Sequence, residues 1–190
     1  MRVGLFDSLL GRSKQAQPNL DALFSLPSAV LTLEAAADIR PTGSGAVCFR
    51  EAEGAPFARV KAEITTLLGG AEPQEVHDSY GYTWLVVRRP PDDIPSLVTD
   101  LHAINSSLES AGFGPSLLCS TMGLRTRSAQ PVALVYLYKR GTFYPFAPVD
   151  AATQRRDSAL ELQVRALVAD DLPIESDVAR WFPVWGAPAL

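Results

Sequence analysis

The chain is short of the residues that most often carry chemistry. In 190 residues it has two cysteines, Cys48 and Cys119, and two histidines, His77 and His102. Neither pair stands at a zinc-ligand spacing such as HExxH, or CxxC followed by HxxxH. There is no GxSxG elbow for a serine hydrolase. The glycines of "TGSG" at 42–45 come without the Lys-Ser/Thr pair of a phosphate loop and read as a turn. Positive charge is also scarce: 17 Lys and Arg face 21 Asp and Glu, a net −4, which argues against a nucleic-acid binder. No uninterrupted apolar run approaches the roughly 20 residues that span a bilayer. The N-terminal "MRVGLFDSLLGRSK" lacks a signal peptide's apolar core and small-residue cleavage site. The chain therefore reads as cytoplasmic, with each cysteine set inside a strand as a small hydrophobe. An enzyme, if there is one, has only His77, Asp78 and His102 for a small metal-dependent or hydrolytic centre. Pairing Cys119 with His102 fails because nothing nearby would lower the thiol pKa. Asp92-Asp93 caps a helix, and Asp170-Asp171 sits at a helix end, where carboxylates are usually solvated.

What is present is an ordinary globular composition, 47% apolar and 20% charged, with no repeat or low-complexity stretch. Residues 19–190 read as one domain. Asn19 precedes "LDALFSL", a helical segment that Pro27 is expected to end. "SAVLTLEAAAD" suits either a helix capped by Ser28 or a strand, with helix preferred. "RPTGSG" reads as a loop and "AVCFRE" as a strand. Pro56 opens a helix whose stripe is Phe57, Val60, Ile64, Leu67 and Leu68, closed by Gly69-Gly70. An acidic loop follows, then the strand "YGYTWLVVRR". There Tyr82, Trp84 and Val86 alternate with Thr83, Leu85 and Val87, and two apolar faces predict an internal strand. The strongest helical period runs from an Asp92 or Asp93 cap through Ile94, Leu97, Val98, Leu101, Ile104, Leu108 and Ala111 to Gly112. "SLLCSTMGL" and "VALVYLYKR" form a hairpin across "RTRSAQP". "TFYPF" is an edge strand because Pro145 lacks a ladder donor. Ser158 with Glu161 suggests a capping box for a final helix carrying Leu160, Val164, Leu167 and Val168. This order predicts an α+β domain with a largely antiparallel sheet packed with helices.

Three stretches invite a binding role. Residues 1–18 form an N-terminal amphipathic segment and linker: Val3, Phe6, Leu9 and Leu10 recur at helical spacing beside Arg2, Arg12 and Lys14. Such a segment either docks on its own domain or a partner, or touches an anionic membrane surface weakly and reversibly. Lys139-Arg140 ends a strand; it is either a solvated turn or, with Arg88 and Arg89 at the same sheet margin, a cluster for an anionic partner. The tail "VARWFPVWGAPAL" carries Trp181, Phe182 and Trp185, which either cover the domain's own sheet or offer a partner patch.

The stretches "LDALFSLPSAVLTLEAA", "YGYTWLVVRRPPDDIPSLVTDLHAINSSLESAGFG", "ALVYLYKRGTFYPFAP" and "RWFPVWGAP", with the "LFDSLLGR" start, resemble PspAB, the PspA-associated family of actinobacteria and some archaea. The resemblance implies a role in the phage-shock envelope-stress system. Its implied partners are PspA, a helical membrane-remodelling protein, and HtpX, a membrane zinc metalloprotease. It implies no catalytic residue and no cofactor. The strand-helix order is also similar to YbjN and type III secretion chaperone-like domains, which bind proteins. These likenesses imply a non-enzymatic adaptor or chaperone-like protein, a homodimer, at the inner face of the membrane.

Overall fold

A computed structural model describes residues 18–50 and 54–190; the segment carrying Val3, Phe6, Leu9, Leu10 and Arg12 lies outside them. A 3-10 turn over Leu20–Ser25 runs directly into α1 (Leu26–Ala37). Pro27 therefore does not end a helix. It sits in the first turn of α1, where its missing N–H would have had no partner in any case. Ser28 falls inside the helix, where its hydroxyl donates to Asp171 at 2.5 Å. The continuous stretch Leu20–Ala37 is long and apolar enough by length and composition to cross a membrane, which the sequence with its internal proline conceals. Its Leu23, Leu26, Ala29, Val30 and Leu33 are nonetheless buried in the domain core.

The expected loop "RPTGSG" is the first half of β1 (Arg40–Arg50). A register break between Pro41 and Gly45 accommodates its glycines. Gly43 has φ +75, and its carbonyl accepts from the Arg89 N–H at 2.8 Å. A Cβ there would lie 2.1 Å from the Arg89 carbonyl, so close backbone approach accounts for the glycine. After α2 (Ala55–Leu67), in which Phe57, Val60 and Ile64 are buried and Leu67 is exposed, comes β2 (Gln74–His77). Sequence reading takes β2 for loop because it is short, polar and at the sheet edge, with only Glu75 and Val76 half-buried. β3 (Tyr82–Arg88) precedes α3 (Ile94–Leu108), whose cap Asp93 accepts from the Ser96 N–H at 3.2 Å. A π-turn over Glu109–Phe113, with Gly112 at φ +89, ends that helix and leaves Ala111 exposed.

β4 (Leu117–Arg125), β5 (Pro131–Leu137) and β6 (Thr142–Phe146) then form a meander. The small pair β7 (Pro148–Asp150) and β8 (Arg155–Arg156) leads to α4 (Ser158–Leu167). No Ser158–Glu161 box caps α4. Asp157 is its N-cap and accepts from the Leu160 N–H at 3.0 Å. Glu161 turns inward instead, where it pairs with Arg156 at 2.8 Å and accepts from the Ala147 N–H at 2.9 Å.

The six main strands form one antiparallel sheet in the order β2-β3-β1-β4-β5-β6. β3 is internal, as its two apolar faces require. Leu85 and Val87 meet the helices, while Trp84 and Val86 face the other side. β6 is an edge strand, and its outer side is shielded by residues 173–175. Phe143 N–H donates to Pro173 O and Glu175 N–H to Phe143 O, each at 2.8 Å. The helices cover one face of the sheet around Leu97, Leu101 and Phe49. Among the described residues the second face is covered mainly by the C-terminal tail, through Trp181, Ala187 and Ala189.

Candidate functional site

Strand direction decides which side chains can meet. In the antiparallel ladder Cys48 lies opposite both Trp84 and Cys119, and Cys119 lies opposite Leu137. The C-terminal ends of β1 and β5 and the N-terminal ends of β3 and β4 therefore share one margin. The tail covers the second face incompletely there, leaving a cavity of about 700 Å³. Its floor is Cys48, Trp84, Cys119 and Tyr144, all buried. The tail residues Phe182, Val184 and Trp185 make one wall, with Phe182 60% exposed at the mouth. Arg50, Lys139, Arg140, Arg180, Asp78 and Tyr80 also line it.

The floor is uncharged. The hydrogen bond that the Cys48 thiol makes to Cys119 favours its protonated form and, reinforced by burial, pushes its pKa far above the ordinary value. Burial likewise raises the Tyr144 phenol well above its usual range; its hydroxyl donates to the Phe182 carbonyl at 2.6 Å. A thiol held protonated in this way is a poor nucleophile. Asp78 has its carboxylate occupied by Trp84 Nε1 at 2.9 Å and by the Tyr80 and Tyr82 N–H groups. Burial opposes its charge, but those donors hold it below the usual carboxylate value.

Lys139 and Arg140, in the turn between β5 and β6, have different roles. Lys139 is exposed to solvent. Arg140 is anchored: Nε donates to Glu175, and Nη2 reaches Glu175 Oε1 at 3.3 Å. Glu175, 1% exposed, also accepts from Thr142 Oγ1 and the Asp177 N–H, both at 3.1 Å. Burial alone would raise its pKa; Arg140 and the other donors more than offset this and leave it lowered.

The structure does not gather the expected basic cluster at one margin. β3 runs antiparallel to β1 and β5 runs the same way as β1, so Arg88 and Arg89 emerge at the end opposite Lys139 and Arg140. Arg88 donates to Gln74 at 2.8 Å, and Arg89 clamps the buried Asp100 at 2.6 and 2.9 Å. Arg50 instead lies at the same margin as Lys139, across β4, and both line the cavity. Its position as the last residue of "AVCFR" was visible in the sequence, but not the strand order that brings it there. Trp181 is buried, stacked on Tyr144 at 6.1 Å, whereas Trp185 lines the cavity.

Nor are His77, Asp78 and His102 united. His77 sits on β2 with Glu75 and Thr83, and His102 on α3 with Asp21 and Ser106. Among the described residues no group of three or more His, Cys, Asp or Glu side chains gathers as metal ligands.

Fold and site together define an α+β domain with helices on one face of an antiparallel sheet and, on the other, an apolar cavity under a basic rim. The chain belongs to the PspAB family, PspA associated protein B, whose family model matches residues 3–189. No curated protein and no solved structure matches it, so the likeness to YbjN and type III secretion chaperone-like domains rests on element order alone.

Proposed function

We propose that this protein acts through protein contacts, as a non-catalytic adaptor or chaperone-like partner of PspA in the phage-shock envelope-stress response. The observation that carries this reading is the family match across residues 3–189, whose description names association with PspA. Two features support it. The Cys48 thiol is held protonated, and His77 and His102 are engaged in separate local networks. In the proposal the protein works at the inner face of the membrane. Residues 1–12 serve as the handle, through Val3, Phe6, Leu9 and Leu10. HtpX-type proteases are a second partner class.

Co-expression of the tagged full-length chain with PspA, and separately with HtpX, followed by affinity capture, tests the reading. PspA is expected to be retained, and retention is expected to fall when Phe6→Asp and Leu9→Asp are introduced. Sedimentation of the same two chains with anionic and neutral liposomes separates a membrane contact from a protein handle. Failure of the wild-type chain to retain either protein overturns the proposal.

A further inference from the structure

We propose that the cavity between the second sheet face and the C-terminal tail binds a single-chain anionic amphiphile, with the acyl chain on the Trp84–Tyr144 floor and the anionic head at Lys139 and Arg50. The inference is independent of any association with PspA. A volume of about 700 Å³ lies within the roughly 300–1,000 Å³ typical of small-molecule sites. Most of a sheet face is closed by packed side chains. Here the tail crosses with Trp181 inserted and then spreads Phe182, Val184 and Trp185 as a wall, so an apolar slot stays open.

The charges around the slot select its ligand. Arg140 is neutralised by Glu175 and Arg180 by Asp177. Among the described residues Lys139 and Arg50 have no carboxylate partner, and both line the cavity. Asp78, the one acidic group in the wall among the described residues, has its carboxylate engaged by Trp84 and two backbone N–H groups. An uncharged floor with two cations at its edge that have no carboxylate partner among the described residues matches a chain with an anionic end. It disfavours cations and fully polar solutes, which would leave the floor unsolvated or meet like charge. A fatty-acid carboxylate and a lysophospholipid phosphate share this chemistry.

Titration of the full-length protein, by calorimetry and tryptophan fluorescence, with oleate, oleoyl lysophosphatidate and neutral monoolein below their micelle concentrations tests the proposal. One anionic ligand per chain is expected, with monoolein about tenfold weaker. Lys139→Glu, in an exposed turn, is expected to weaken anion binding about fivefold and leave monoolein unchanged. Leu118→Trp, which fills the slot, should abolish all binding. Tighter binding of lysophosphatidate assigns a phospholipid source, and tighter oleate binding a free fatty acid. No binding, equal affinity for monoolein, or indifference to Lys139→Glu overturns the proposal. So does binding seen only with intact anionic vesicles. Binding that appears only after Phe6→Asp and Leu9→Asp also overturns it, because the occupant is then the chain's own N-terminal segment.

Discussion

Among the described residues near the cavity, Glu175 has the carboxylate with the most hydrogen-bond contacts. It ties the β5–β6 turn to the start of the tail through Arg140, Thr142 and the Asp177 N–H, and its own carbonyl accepts from Trp181 Nε1 at 3.0 Å. Glu175→Ala removes the acceptor while leaving donors behind, so a loss of about 2 kcal/mol is expected in urea unfolding at neutral pH. The pH dependence has a definite sign. Its folded pKa is lowered, so the carboxylate adds stability above the unfolded value of about 4.3 and that stability fades as pH falls through the lower folded value. The wild-type chain should therefore lose stability between neutral and acid pH more steeply than Glu175→Gln. Parallel pH profiles for the two chains would count against this network. Lys139, one residue from Arg140, has no part in this network and faces solvent.

The tail acts as an element although it contains little regular structure beyond a 3-10 turn at Val178–Arg180. Its fit depends on Gly123 of β4. A Cβ there would sit 2.1 Å from the Ala189 carbonyl and 2.7 Å from Thr42 Oγ1. Gly123→Ala must push the last residues off the sheet. The expected cost is about 2–3 kcal/mol in unfolding free energy, with a changed near-ultraviolet signal from Trp181 and Trp185. An unaltered spectrum and midpoint would show that the tail can shift at no cost. The aromatic richness of "RWFPVWGAP" announces burial, and Trp181 is indeed buried against Tyr144. Which glycine receives the chain end could not be read locally, because Gly123 and Ala189 are brought together only by the fold.

Taken as one body, the domain has two apolar layers of unequal protection. Among the described residues, helices close the first and one irregular strap closes the second. A chain ended at Glu175 would uncover Trp84, Val86, Val135, Tyr144 and Phe146 at once. Such a chain is expected to aggregate, whereas light scattering of the full-length protein is expected to give the mass of a homodimer. Because Trp181 is spent inside the domain, that dimer would have to use other surface. A truncated chain that remained a soluble monomer with an unchanged far-ultraviolet spectrum would show the strap to be dispensable.

Local periodicity was enough to read α3, β3, the β4–β5 hairpin, the Pro145 edge strand and hence the α+β class. Each is set by side chains a few residues apart. The misreadings occurred where distant contacts outweigh local signals. Pro27 opens a helix instead of closing one, "RPTGSG" is held in a ladder by its neighbours, and polar β2 is a strand because β3 offers it an edge. The cavity was the least legible feature. Arg50, Trp84, Cys119, Lys139 and Trp185 come from five separate stretches, and no spacing in the chain encodes their meeting. Antiparallel strand order also sent Arg88 and Arg89 to one end of the sheet and Lys139 to the other, because each reversal of direction exchanges the margin at which a strand's last residue emerges.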